Sequence, residues 1–139
     1  MRGRGLRAGL LEPPRCYAQD GLAATAALDV HAMAHITGGG LAANLARVLP
    51  KHVDAVLERS AWTPQPIFDL IGELGGVARD ELERTFNLGV GMVAVVAAAD
   101  ADGALRLLAA RTVPAWVIGS ILPGSGQARL VSSHPETAP

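Results

Sequence analysis

A chain of 139 residues, half of them hydrophobic and with a mean hydropathy of +0.28, is long enough for one domain with its own core and too apolar for a disordered segment. Aromatic residues are only 4% of the total, so that core must be built from Ala, Leu and Val. Twelve Lys and Arg against thirteen Asp and Glu leave a formal net charge of −1, which excludes holding nucleic acid or an anionic membrane through a global field.

Residues 1–9, with Arg2, Arg4 and Arg7, read as a solvated tail, because Glu12 and Pro13 arrive before any apolar stretch of signal-peptide length. The domain is expected over residues 10–132, and the polar "SSHPETAP" makes residues 133–139 a second tail. The single Cys16 has no disulfide partner and no companions for a zinc cluster, which suits a reducing, cytoplasmic setting. The longest uncharged runs are too short, or too broken by Gly and Pro, to span a bilayer.

In chain order, the Ala-rich stretch from Tyr17 to Leu28 predicts a helix, and "VHAMAHI" (Val30–Ile36) alternates with a period of two, as a strand does. Three glycines follow. Leu41, Leu45, Val48 and Leu49 then recur at helical spacing until Pro50 stops the pattern. Val53–Leu57 predicts a strand, "WTPQP" a turn, Ile67–Leu74 a helix closed by Gly75 and Gly76, and Asp80–Thr85 a short helix. Met92–Ala97 is a continuous apolar run suited to a strand buried on both faces. Asp100 is placed to cap a helix through Ala110, with Leu105, Leu108 and Ala109 inward. "AWVIGSI" and "ARLVSS" predict two strands joined as a hairpin by a Pro-Gly-Ser-Gly turn. Helices and strands interleave, so the expected fold class is α/β (α+β), a mixed sheet layered with helices.

A glycine turn between a strand and a helix aims free N–H groups and the positive helix end at one spot, which favours an anion such as phosphate. "TGGG" (Thr37–Gly40) has neither the lysine of a P-loop nor the spacing of a dinucleotide fingerprint, and a tight turn under close packing explains it equally well. His31 and His35 stand four apart on the predicted strand, but no third ligand of suitable spacing accompanies them, so packing or internal hydrogen bonding is preferred over metal and no metal site is assigned. His52 and His134 read as surface residues. Asn87, ahead of Gly89 and Gly91, either bonds a substrate or closes a turn through its own backbone. Trp62 and Trp116 are expected as core or interface anchors, because no basic cluster surrounds either one. No nucleophile with a paired base stands out.

"LLEPPRCY", "LDVHAMAHITGGGLAANLARVLP", "SAWTPQPIF" and "RTFNLGVGMVAVV" together resemble the C-terminal half of phosphoribosylformylglycinamidine cyclo-ligase, or aminoimidazole ribonucleotide synthetase, from about Leu10 to about Val131. Pro14 and Cys16 depart from the residues usual in that family. The resemblance implies an ATP-dependent, Mg²⁺-requiring enzyme of purine biosynthesis that closes the imidazole ring of formylglycinamidine ribonucleotide. It implies half of a composite site: His35, as a candidate catalytic residue, faces the cleft with Thr37, Gly38, Gly39 and Gly40, while Asn87, Gly89 and Gly91 help shape it. The acidic metal-binding residues and the "DGVGTK"-type nucleotide motif of such enzymes lie in an N-terminal domain and do not occur in these 139 residues. The implied partners are that ATP-binding domain and a small nucleotide substrate; a homodimer is also expected, since a face made to pack against another domain is apolar. Two other readings remain: a non-catalytic anion-binding or interaction module of the same fold, or a related ATP-using domain of the selenophosphate synthetase or thiamine-monophosphate kinase type.

Overall fold

The computed structural model describes residues 15–135. The tail expected at residues 1–9, the start of the domain at residue 10 and all but the first three residues of the tail expected at 133–139 lie outside them. Helix α1 (Ala18–Ala27) leads into strand β1 (Val30–His35), followed by α2 (Gly40–Ala46) and β2 (Val53–Glu58). A 3-10 turn at Arg59–Ala61 precedes α3 (Pro66–Gly75), which opens on a proline whose missing N–H no helix start requires. It closes on Gly76 at φ +59°, the left-handed conformation that glycine adopts without steric cost. Then come α4 (Arg79–Thr85), β3 (Met92–Val96), a 3-10 turn at Ala98–Asp100, α5 (Ala101–Ala110), β4 (Gly119–Pro123) and β5 (Ala128–Val131).

The strands divide between two sheets. β1 and β3 pair antiparallel from Val30↔Val96 to His35↔Met92, with an irregularity between Val30 and Ala32. The other sheet is mixed, in the order β4-β2-β5: β2 runs antiparallel to β4 and parallel to β5. The main core lies between the two sheets and α2, and includes Ala34, Ile36, Leu41, Leu45, Ala55, Leu57, Trp62, Val90 and Val93. Phe68, Leu82 and Leu88 form a satellite core under α3 and α4. Ile36 and Leu45 are the largest fully buried side chains, so the segments flanking the three glycines are anchored at the centre of the domain.

Several local expectations are corrected. β4 and β5 do not form a hairpin, because β2 lies between them and the loop connecting them wraps over its start. Asp54 Oδ1 accepts from the N–H of Ser125 at 2.7 Å and of Gln127 at 2.8 Å, and the N–H groups of Gly124 and Gly126 donate to the carbonyls of His52 and Val53. Those bonds carry the chain across the sheet, and the N–H groups of Gln127 and Ser125 hold the Asp54 carboxyl below its ordinary pKa. β3 is not buried on both faces, since Ala94 is exposed and only Val93 is buried. Asp100 does not cap α5; its carboxylate accepts the Asp29 N–H at 2.9 Å, joining the entries to β1 and α5. Within α5, Leu105 and Leu108 are half-buried and Ala109 is exposed. α2 ends at Ala46, short of Leu49, and Val48 is exposed. Trp62 is buried, whereas Trp116 is exposed.

Candidate functional site

β1 ends at His35 and the chain enters the glycine turn through Ile36. Gly39 and Gly40 take φ +99° and +76°, which an L side chain rarely adopts. The three glycines meet different surroundings. A Cβ at Gly40 would overlap the Glu83 carbonyl oxygen and lie 3.0 Å from its carbon, so α4 can pack against the start of α2 only because Gly40 has no side chain. A Cβ at Gly38 would meet nothing within 4 Å, and both Gly38 and Gly39 are exposed. Close packing therefore explains the third glycine and leaves the first facing open space.

Asn44, buried on α2, locks this turn. Its Nδ2 donates to the carbonyls of Thr37 at 3.3 Å, Gly38 at 3.2 Å and Gly40 at 2.7 Å, while its Oδ1 accepts from Arg47 Nη1 at 3.3 Å and from Thr37 Oγ1 at 3.5 Å. The turn's carbonyls are thus drawn inward, and Arg47 is held beside Gly39. Asn44 was legible only indirectly, as a polar residue three positions after Leu41 on the buried stripe of α2.

The second glycine loop is built to meet the first. Asn87 closes an Asx turn, its Oδ1 accepting the Gly89 N–H at 3.1 Å and its carbonyl the Val90 N–H at 3.0 Å. Leu88 is held at φ +47°, and its carbonyl accepts the indole N–H of Trp62 at 3.1 Å. Gly89, at φ +93°, lies against the side-chain amide of Gln65, and Gly91 leaves room for the Tyr17 hydroxyl. The Gly91 carbonyl accepts the Ile36 N–H at 2.9 Å, and His35 pairs with Met92, so the two loops are joined at the end of the β1–β3 ladder. His35 is exposed there, with the Tyr17 ring 6.2 Å away at 59°. His31 is also exposed, 3.8 Å from Asp29. Among the described residues no group of three or more His, Cys, Asp and Glu is placed to hold a metal ion.

Beside Gly39 a shallow cleft of about 320 Å³ opens between α2 and α4, and its floor is ionic. Glu83, almost fully buried, accepts Arg59 Nε at 2.8 Å and Nη2 at 2.7 Å in a two-pronged pair. Arg59 holds the Glu83 carboxyl below its ordinary pKa, and Glu83 in turn raises that of Arg59. The side chain of His134, expected at the surface, is buried instead: its ring stands on edge against Trp62 at 4.5 Å, Nδ1 is 3.3 Å from the Trp62 carbonyl and Nε2 is 3.4 Å from Glu83. Nothing in the polar "SSHPETAP" foretold this packing. His35, Asn87, Gly89 and Gly91 do not line the cleft, and of the glycine turn only Gly39 does.

These features define an α/β domain in which two glycine loops are fastened together at one end of a two-stranded sheet, beside an ionic cleft. The chain belongs to the family described as AIR synthase related protein, C-terminal domain, whose model matches residues 3–131. It is 56% identical over 119 residues to a Streptomyces fradiae protein provisionally named phosphoribosylformylglycinamidine cyclo-ligase, a match covering 86% of this chain and 65% of that protein. It is 52% identical over 128 residues to the phosphoribosylformylglycinamidine cyclo-ligase of Anaeromyxobacter sp. strain Fw109-5 and 48% identical over 128 residues to that of Myxococcus xanthus, covering 92% of this chain and 37% of each relative. The chain thus spans between about a third and two thirds of the length of these relatives. The mixed α/β architecture agrees with the fold class read from the sequence. Among the described residues no helix is long and apolar enough to cross a membrane.

Proposed function

We propose that this chain is the C-terminal half of an ATP-dependent cyclo-ligase converting formylglycinamidine ribonucleotide to aminoimidazole ribonucleotide, and that it works only with the N-terminal ATP-binding domain that the resemblance implies. The observation that carries the reading is the bond from the Ile36 N–H to the Gly91 carbonyl, which unites the "HITGGG" and "NLGVGM" loops into one surface. On that surface His35 is the candidate for orienting or moving a proton on the substrate. Thr37, Gly38 and Gly39 supply a hydroxyl and backbone N–H groups for a phosphate, with the Arg47 guanidinium beside them. Gly40, Asn87, Gly89 and Gly91 act by shape, setting the two loops at their spacing. We assign the metal and the triphosphate to the partner domain, because the resemblance implies that the acidic metal-binding residues and the nucleotide motif lie there.

The test is reconstitution. The chain is mixed with a separately expressed N-terminal domain of a cyclo-ligase relative, and aminoimidazole ribonucleotide is measured. Product is expected from the mixture and from neither part alone. His35→Ala and Gly38→Val should each reduce it at least about tenfold, with circular dichroism unchanged because both positions are exposed. Substrate-dependent ATP hydrolysis by this chain alone, or full activity of both variants, would refute the assignment.

A further inference from the structure

The short polar segment after β5 is fastened to the rest of the domain. Ser132, at φ +60°, accepts Arg59 Nη1 on its carbonyl at 3.3 Å and the Ser60 N–H on its hydroxyl at 3.3 Å. Those bonds tie the segment to the 3-10 turn after β2 and bring His134 onto Trp62, with only 8% of the His134 side chain left exposed. A carbonyl oxygen can only accept, so Nδ1 is the nitrogen that donates to the Trp62 carbonyl. Nε2 is buried and forms no hydrogen bond, although Glu83 Oε1 lies 3.4 Å away. Leaving a buried polar atom without a bond is costly. The ring is therefore seated by Trp62, edge-on at 82°, rather than by the carboxylate.

Trp62 carries this contact into the candidate site. Its Nε1–H donates to the Leu88 carbonyl inside the second glycine loop, where Leu88 stands at φ +47°. A residue with a Cβ holds that conformation only where its surroundings impose it. Asn87 fixes the far side of the loop through the N–H groups of Gly89 and Val90, and the indole fixes Leu88 itself. We propose that His134 is a positioning residue for the candidate site: by seating the Trp62 indole it holds Leu88, and with it the "NLGVGM" loop, in the arrangement that meets the first glycine turn. Its effect on turnover rests on the cyclo-ligase reading, whereas its effect on the loop does not.

The test compares His134→Ala, Trp62→Phe, the double variant and, as a control, Ser133→Ala, which alters an exposed neighbour. In NMR spectra of the full chain, His134→Ala should move the Trp62 indole N–H signal, with that of the exposed Trp116 as internal reference. It should quicken amide exchange at Gly89 and Val90 about tenfold and leave the β2–β4 ladder at its parental rate. Trp62→Phe keeps a ring for His134 but cannot donate to Leu88; it should quicken the same two amides, and adding His134→Ala should change them no further. Thermal melting checks folding, and if Trp62→Phe does not fold, the two readouts of His134→Ala decide alone. In the reconstituted enzyme His134→Ala should lower kcat about tenfold with KM little changed, and Ser133→Ala should change neither. An unmoved indole signal, quickening spread evenly over the β2–β4 ladder, further quickening in the double variant, or an unchanged kcat would overturn the proposal. No product from the unaltered chain, with the loop responding as expected, would instead refute the cyclo-ligase reading and support the hold of His134 on the loop.

Discussion

Gly40→Ala tests the packing account of the glycine turn, because one methyl group brings two separate costs. Alanine at φ +76° sits in the left-handed region, which costs an L residue about 1–2 kcal/mol relative to glycine. The new Cβ also overlaps the Glu83 carbonyl, so α4 must shift away from α2 or the turn must deform, as in an overpacked core, at about 1–3 kcal/mol. The sum is about 3 kcal/mol, a fall in Tm of about 10 °C for a domain of this size. Gly38→Ala is the control: its Cβ would meet nothing within 4 Å, and its cost should stay within about 0.5 kcal/mol. Urea unfolding of the three proteins, with the slopes compared to confirm that stability alone has changed, measures both differences. If Gly40→Ala fell within about 0.5 kcal/mol of the parent, the close approach of α4 would not be what requires glycine there.

Two further outcomes follow from the polar groups of the site. Asn44→Leu removes the donor shared by the Thr37, Gly38 and Gly40 carbonyls, should cost about 2–3 kcal/mol, and should raise amide exchange across Thr37–Leu41 more than elsewhere. Glu83→Gln should cost about 2 kcal/mol at neutral pH, less than for a fully buried pair because the Arg59 side chain keeps 23% of its exposure. Arg59 lowers the Glu83 pKa in the folded protein from its ordinary 4.5, so the pair's contribution is complete above that value and is lost as pH falls through the lower folded one. Stability against pH should therefore decline less steeply on the acid side for Glu83→Gln, and equal acid slopes in the two proteins would contradict the ion-pair account.

The elements were legible where local signals agreed. Alternation marked β1, Gly75 and Gly76 marked the end of α3, and the 41/45 spacing placed α2. Two glycine loops were visible as motifs, but their connection was not, since the Ile36–Gly91 bond joins segments that only the β1–β3 register brings together. The hairpin expectation failed because adjacent strands ordinarily pair, and nothing in "PGSG" reveals that Asp54, about seventy residues earlier, accepts two of the loop's N–H groups. His134 was misplaced for a similar reason: composition describes a tail, whereas its burial depends on Trp62 and Glu83, which lie far away in sequence.

In neither sheet does a strand pair with its neighbour in sequence: β1 waits for β3, and β2 waits for both β4 and β5. Each pairing closes a long loop before any contact repays the lost chain entropy, so folding should be slow, on the millisecond-to-second scale typical of such topologies. During synthesis β2 would leave the ribosome with neither neighbour made, and its sheet could not be completed until Val131 had followed. Over that interval the apolar stretch Ala55–Leu57 is a segment for chaperones to shield, and expression yield should depend on them more than the stability of the finished domain would suggest.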